Sequence, residues 1–268
     1  MSPKKEDQKI FESLVRFLHK KKTFARLPGE HLLEIGKYFL GTPYKAGTLE
    51  HEKDEHLIVN LRKFDCVTFV ESVIALTLAL KSKKKSFKGF RKYLQKIRYR
   101  KGQLQGYTSR LHYFSDWIHD NQKKGFLREG TAEMGGRPFK KNITFMTTHP
   151  DLYPLLKKGL NLQRMKSIER RISRRSLFFI PKKSLRFLED RIREGDLIAI
   201  TTPTTGLDIQ HAGFAIRVKN RIHLLHASSK EGKVVLSKKT LYRYLMESKE
   251  RSGIMVARLE GGKWIVEK

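Results

Sequence analysis

Cys66 is the only cysteine among 268 residues. Asp65 precedes it and a dense apolar run follows, which predicts a helix from Cys66 to about Leu80 with Asp65 as its N-cap. A thiol on the first helical residue faces unpaired backbone N–H groups and the positive end of the dipole, both of which favour the nucleophilic thiolate. The same N–H groups could form part of an oxyanion hole. A thiol nucleophile needs a base, usually histidine, held by a third polar group. Of ten histidines, His211 fits best. It begins a predicted strand whose face continues with Gly213 and Ala215, small residues that would leave space above the sheet, while Phe214 and Ile216 fill the core below. His226 lies on the next predicted strand, where it could orient His211 and fix its tautomer. Plainer readings stand beside these: a lone cysteine can be a small buried hydrophobe, and the histidines could belong to turns or surface.

These residues need a frame. Apolar spacing predicts helices over Gln8–Leu18, around Leu32–Phe39, over Phe87–Tyr99 and around Tyr113–Asn121. Gly41-Thr42-Pro43-Tyr44-Lys45-Ala46-Gly47-Thr48 reads as a loop. Short strands follow at Asp196–Thr201, Ala212–Val218, Ile222–Ala227, Lys233–Leu236, Ile254–Leu259 and Trp264–Val266, an antiparallel meander by pattern. Helices first and strands second predict an α+β domain. Residues 1–30 read as an N-terminal helical extension and 31–268 as a single domain. A polar, basic insertion over about 125–194 carries short helices near Asp151–Lys157 and Gln163–Arg171 and could cover one side of a cleft.

Composition narrows the partners. Lys and Arg number 57 against 27 acidic residues, a formal charge of +30 that draws anions. The cations are spread along the chain, without a stripe of interleaved aromatics or a nucleic-acid motif, so no specific nucleic acid is expected. One cysteine allows no internal disulfide and no sulfur-rich metal site, and neither metal nor cofactor is required. No run approaches the roughly 18 apolar residues of a membrane span. The N-terminus lacks a secretory pattern, which suits the cytoplasm as the sequence stands, or the periplasm if a signal has been removed.

Phe64-Asp65-Cys66-Val67-Thr68-Phe69-Val70, Gly195-Asp196-Leu197, His211-Ala212-Gly213-Phe214-Ala215-Ile216 and Leu225-His226-Ala227 resemble, in order, the signature of NlpC-type papain-like cell-wall hydrolases. The resemblance implies a papain-like core, its nucleophile helix packed on an antiparallel sheet, with Cys66 as nucleophile, His211 as base and His226 as orienting residue. Tyr44 would lie beside the nucleophile. Tyr38 to Tyr44, Ala46 to Glu50, Asn60-Leu61 and Ser109 to Trp117 resemble one branch, the N-acetylmuramoyl-L-alanine amidase-like family. That branch implies cleavage between N-acetylmuramic acid, in its 1,6-anhydro form, and L-alanine, with anhydro-muropeptides as substrates. A stem-peptide endopeptidase of the same superfamily is the alternative, and a basic nucleic-acid-binding protein a more distant one. Arg110 and His112 are candidates for substrate binding, or Arg110 for an ion pair with Asp116. Asn60 and Glu50 could line the cleft or cap turns. Glu71 is expected to be solvated or locally paired, and His19, His31 and His149 to lie at the surface. Cys66 and His211 lie further apart in the chain than in compact members, so the insertion must fold out of the way or shape the cleft. A turn around Lys219-Asn220-Arg221 must absorb a long His211–His226 spacing.

Overall fold

The computed structural model describes residues 2–21, 28–50, 54–82 and 85–260. The predicted strand Trp264–Val266 lies outside them. Helices α1 (Pro3–Lys20), α2 (Pro28–Tyr38), α3 (Cys66–Lys81), α4 (Phe87–Arg98) and α5 (Phe114–Lys123) come first. Then follow β1 (Leu127–Glu129), β2 (Arg137–Pro138), α6 (Phe145–Thr148), α7 (Asn161–Ser173), β3 (Phe178–Pro181) and α8 (Leu185–Leu188). The last third holds β4 (Leu197–Thr201), β5 (Ile209–Val218), β6 (Arg221–Ser228), β7 (Lys233–Leu236), α9 (Leu241–Met246) and β8 (Gly253–Leu259). The chain is an α+β protein, helices packed on an antiparallel sheet.

The sheet runs β2-β3-β8-β4-β5-β6-β7, with β1 also paired to β8. The meander holds for β4 to β7, but β8 crosses back to pair with β4. Its other edge is shared by two strands of the 125–194 stretch: β3 pairs Ile180 with Ile254, and β1 pairs Leu127 with Leu259. That stretch therefore extends the main sheet as well as carrying helices. Nothing in its polar sequence announced these strands, because backbone pairing on an existing edge needs little apolar patterning.

Helix α3 is buried from Thr68 to Leu80. One face of the sheet packs beneath it through Ala212, Phe214 and Ile216. The opposite face carries a second core in which Ile198, Ile200, Ala215 and Leu224 meet Leu241 and Leu245. The space expected above Gly213 and Ala215 is thus filled by that second core around Ala215. A third cluster, with Met146, Leu155, Leu156, Met165, Ile168 and Ile172, gives the basic stretch its own interior. Arg175 ties it to α5 at 2.6 Å from Asp116, and Tyr113 donates its hydroxyl to Glu169 at 2.7 Å.

The Gly-Asp-Leu segment has a structural role in two residues. Gly195 has φ +82°, and a Cβ there would come within 2.6 Å of Gly29 Cα, so the start of α2 closes directly on this turn. Asp196 is fully buried and takes a forked pair of hydrogen bonds from Arg258, at 2.6 and 2.8 Å, which lock β4 to β8.

Two sequence expectations fail through burial. His31 is fully buried in α2. Glu71 is buried on α3, where it accepts from Arg98 Nε at 2.7 Å, and Arg98 also donates to the Ile58 carbonyl at 2.5 Å. Burial pushes the Glu71 carboxyl above its ordinary range, an effect the Arg98 charge only partly offsets. Glu71→Ala would strand the buried guanidinium and is expected to cost about 3–5 kcal/mol in chemical denaturation. A double change to Leu at 71 and Met at 98 should recover most of that loss. An unchanged midpoint in Glu71→Ala would show that the pair contributes nothing.

Candidate active site

Cys66 is placed by the local sequence around it. Asp65 Oδ1 accepts from Thr68 N at 2.7 Å, and Thr68 Oγ1 accepts from Asp65 N at 2.9 Å, a reciprocal box that starts α3 at the cysteine. The Gly-Thr-Pro-Tyr loop is stitched in on two sides. Tyr44 N donates to the Gly232 carbonyl at 2.8 Å, and Phe64 N donates to the Pro43 carbonyl at 3.0 Å. Tyr44 thereby lies beside Cys66 and Asp65; burial, then the nearness of these two acidic groups, raises its hydroxyl pKa.

The thiol meets the backbone amides of Ala212, of Cys66 itself and of Val67, each of which favours the thiolate. Burial outweighs them, with the Asp65 carboxylate in support, and the thiol is pushed up to about 12. The resting Cys66 side chain is therefore a neutral thiol, against the expectation from its helix position. The amide of Ala212 belongs to the residue that follows His211, which brings the start of β5 to the start of α3.

His211 and His226 meet edge to face, with His211 Nε2 at 2.6 Å from His226 Nδ1. Three backbone features make this possible. A register shift between Ile200 and Thr201 inserts an extra residue on β5 just before His211 and re-aims it. The β5–β6 hairpin closes through Lys219 and Asn220, both at positive φ (46° and 62°), so the tight turn absorbs the spacing. The ladder pairs Phe214 with Leu225, which sets His226 across from Gly213 and diagonal to His211. A Cβ at Gly213 would lie 2.9 Å from His226 Cβ and 2.8 Å from the Leu225 carbonyl, so only glycine leaves room for the ring to lean onto His211.

Both imidazoles are held neutral. Burial lowers each pKa; His226 and then Arg251 add to this for His211, and Arg251 does so for His226. A neutral pair sharing one contact needs one donor and one acceptor. If His211 carries its proton on Nε2 and donates to His226, its Nδ1 lone pair is free as a base. Tyr244 sits 5.6 Å from the His226 ring, with the Arg251 guanidinium 3.7 Å over its own ring. Sequence reasoning missed Tyr244 and Arg251, because neither stands in a pattern of its own.

Cys66 opens on a cavity of about 220 Å³ lined also by Arg110, His112, Tyr113, Tyr153 and Leu207. Tyr153 and Met146 bring the basic stretch to one wall of it. Arg110 is buried and compensated by Glu50 at 2.6 Å and Glu55 at 3.3 Å, with the Tyr107 ring 5.2 Å away. Its partner is not Asp116, which Arg100 and Arg175 grip instead, at 2.7 and 2.6 Å. His112 donates from Nε2 to the Tyr107 carbonyl at 2.9 Å, and burial, then Arg110, hold it well below its ordinary pKa. Asn60 lines neither this cavity nor the one beside the histidines; its Oδ1 caps a turn, accepting from Arg62 N and Lys63 N. His19 and His149 are exposed. Among the described residues, no three or more His, Cys, Asp or Glu converge as a metal-binding group, and no helix is long and apolar enough to cross a membrane.

Residues 34–254 match the N-acetylmuramoyl-L-alanine amidase-like family. An N-acetylmuramoyl-L-alanine amidase from Bacteroides uniformis superposes with a TM-score of 0.82 at 41% identity, over 87% of this chain and 99% of that one. A Bacteroides fragilis protein described provisionally as a xylanase superposes at 0.79 with 43% identity, over 84% and 99%. A Legionella pneumophila protein superposes at 0.74 with 26% identity, over 97% of both chains. A comparison with curated proteins found no match.

Gly213→Ala is expected to destabilise the fold by about 1–3 kcal/mol and to part the two rings, which ring-nitrogen NMR would register as a lost imidazole–imidazole hydrogen bond. The same spectra should find both rings neutral below about pH 6.5, where a free histidine takes up a proton. Because folding lowers both pKa values, the unfolded chain binds more protons below about pH 6.5. Stability is then undiminished above that pH and falls as the pH drops towards the folded values. Melting curves should show this fall, and a smaller one in His226→Gln; identical acid sensitivity in the two proteins would count against a neutral buried pair.

Proposed function

The chain belongs to the N-acetylmuramoyl-L-alanine amidase-like family, and from that premise we propose that it is a peptidoglycan amidase of cysteine type. In this reading it hydrolyses the amide between (1,6-anhydro-)N-acetylmuramic acid and L-alanine. The observation that carries the cysteine mechanism is the convergence of two things: the Cys66 thiol against the Ala212 amide, and the His211–His226 contact one residue away. A cysteine at a helix start, with its thiol on the amide of the residue that follows a histidine on an antiparallel sheet, supports an NlpC-type, papain-like core.

The lactyl carbonyl enters the cavity beside Cys66. His211 Nδ1 takes the thiol proton as Sγ attacks, so the thiolate exists only while the C–S bond forms. Nε2–H of the new imidazolium donates to His226 Nδ1, a charge-assisted bond that steadies the cation. The Cys66 amide, helped by the Tyr44 hydroxyl, receives the developing oxyanion. His211 then protonates the alanine nitrogen, the C–N bond breaks and the stem peptide leaves. Water, deprotonated by His211, attacks the thioester and restores the thiol. The depressed pKa of His211 makes it a weak base at rest but makes its imidazolium a strong acid, which suits expulsion of a poor amine leaving group.

A glycosidase would instead need two carboxyl groups facing the sugar, about 5–10 Å apart. Asp65 is spent on the α3 cap, Glu50 on Arg110 and Glu71 on Arg98. That assignment of the cavity carboxylates favours the amidase reading.

Wild type and Cys66→Ala should be incubated with a disaccharide-anhydro-muropeptide and the products weighed by mass spectrometry. Intact disaccharide plus free stem peptide, formed by wild type alone, is the expected result. A cut within the peptide would move the protein to the endopeptidase alternative, and equal turnover by Cys66→Ala would end the cysteine mechanism. A second measurement concerns the charge state of the thiol. Alkylation of Cys66 by iodoacetamide is expected to be slow at neutral pH and still accelerating above about pH 9, where an ordinary thiol is mostly ionised. A rate already maximal at pH 7 would mean a preformed thiolate.

A further inference from the structure

A second cavity, about 260 Å³, has the histidine pair in its lining. His211 and His226 form one wall, and the turn after β6 and the helix α9 form the others. Its charges differ in kind from those around Cys66. The Cys66 cavity sets Glu50, Asp65 and Glu71 against Arg110. The histidine-side cavity is lined by Lys230, Lys238, Lys239 and Arg251 against Glu231 and Glu247. Lys239 is paired with Glu247. Lys230, Lys238 and Arg251 have no carboxylate at ion-pair distance among the described residues. Arg251 is held in place, stacked over Tyr244 and donating to its carbonyl.

The reaction assigns the two sides. The acyl group bonded to Sγ must stay with Cys66. The amine that accepts a proton from His211 must leave on the histidine side. In the amidase reading, on which this inference rests, that leaving amine begins the stem peptide, a chain that carries free carboxylates.

We propose that the histidine-side cavity is the binding site for the leaving stem peptide, with Lys230, Lys238 and Arg251 holding its carboxylates, while the uncharged glycan side occupies the cavity at Cys66. Substrate polarity is thus read by the charge difference across the scissile bond. The positively charged side selects acidic stem peptides over amidated ones, and does so less in high salt.

The test is calorimetric titration of full-length Cys66→Ala with two synthetic probes. One is the tetrapeptide L-Ala-γ-D-Glu-L-Lys-D-Ala, and the other is the same peptide with both carboxylates amidated. The free acid is expected to bind more tightly. Adding Lys230→Ala and Lys238→Ala should weaken it about tenfold and weaken the amidated peptide by less than that. Arg251→Gln should do the same, and melting curves would verify that each variant is folded. Equal affinity for the two peptides, or unchanged binding of the free acid in the double variant, would overturn the proposal. Turnover of the disaccharide-anhydro-muropeptide by wild type reports separately on the amidase reading. Turnover with no charge preference in the titration defeats this inference alone. Charge-selective binding without turnover removes the amidase reading and leaves the cavity a carboxylate site.

Discussion

Helix α3 cannot shift, and the rest of the molecule is built on that constraint. It is buried along almost its whole length, between α2 and α4 on one side and β5 and β6 on the other. An axial slide would drive apolar side chains out of a close-packed interior, where a single misplaced methylene is felt. The Asp65–Thr68 box then fixes where the helix begins, and with it the height of Cys66 above the sheet. Because β5 packs directly against α3, the Ala212 amide and His211 are fixed by the same contacts. The site inherits its geometry from the core, and no separate device is needed to align the thiol with the strand.

That burial also decides the electrostatics. A helix N-terminus favours an anion by roughly 0.3–2 kcal/mol. The thiol is raised from 9.0 to about 12, and at about 1.4 kcal/mol per unit that is on the order of 4 kcal/mol in the opposite sense. Desolvation therefore wins, and the dipole only moderates it. The histidines obey the same rule: burial and the Arg251 charge resist a cation on each, and His226 adds to this for His211. The site is thus neutral at rest, and in the proposed mechanism both charges would develop together, with the fixed amides acting on charge that appears only during reaction.

Much of this was legible in the residues. Asp65 before an apolar run located α3, and the alternation from Ala212 to Val218 located β5 and its two faces. The small residues at 213 and 215 were read as making space, and one of them does. Gly213 makes room for a neighbouring ring, whereas Ala215 packs into a second core that no local pattern announced, since α8 and α9 are too short to show periodicity. The strands of the basic stretch were illegible for a related reason: β1 and β3 are specified by the open edge of β8, a partner remote in sequence. Arg110 shows the limit for side chains. Its nearness to Asp116 in sequence suggested one partner, but tertiary packing supplied Glu50 and Glu55, and left Asp116 to Arg100 and to Arg175 from the far end of the stretch.

The charge of +30 looks at first like the dominant fact of the sequence, yet it does not set the character of the reacting site. Exposed charges are screened over about 8–10 Å at moderate salt, so distant lysines contribute little where the bond would break. What matters there is the local balance, and around Cys66 it is slightly negative despite the surplus elsewhere. Among the described residues, Arg110 is the only guanidinium lining that cavity, and two carboxylates and the hydroxyls of Tyr99 and Tyr107 surround the network it belongs to. A buried arginine with such compensation serves as a rigid floor more readily than as a docking point for an anion, because a third carboxylate would have to displace partners already in place. The cavity at Cys66, which the proposal gives to the sugar, can therefore be shaped by compensated groups while the protein as a whole remains strongly basic. The two properties coexist because burial isolates the first from the second.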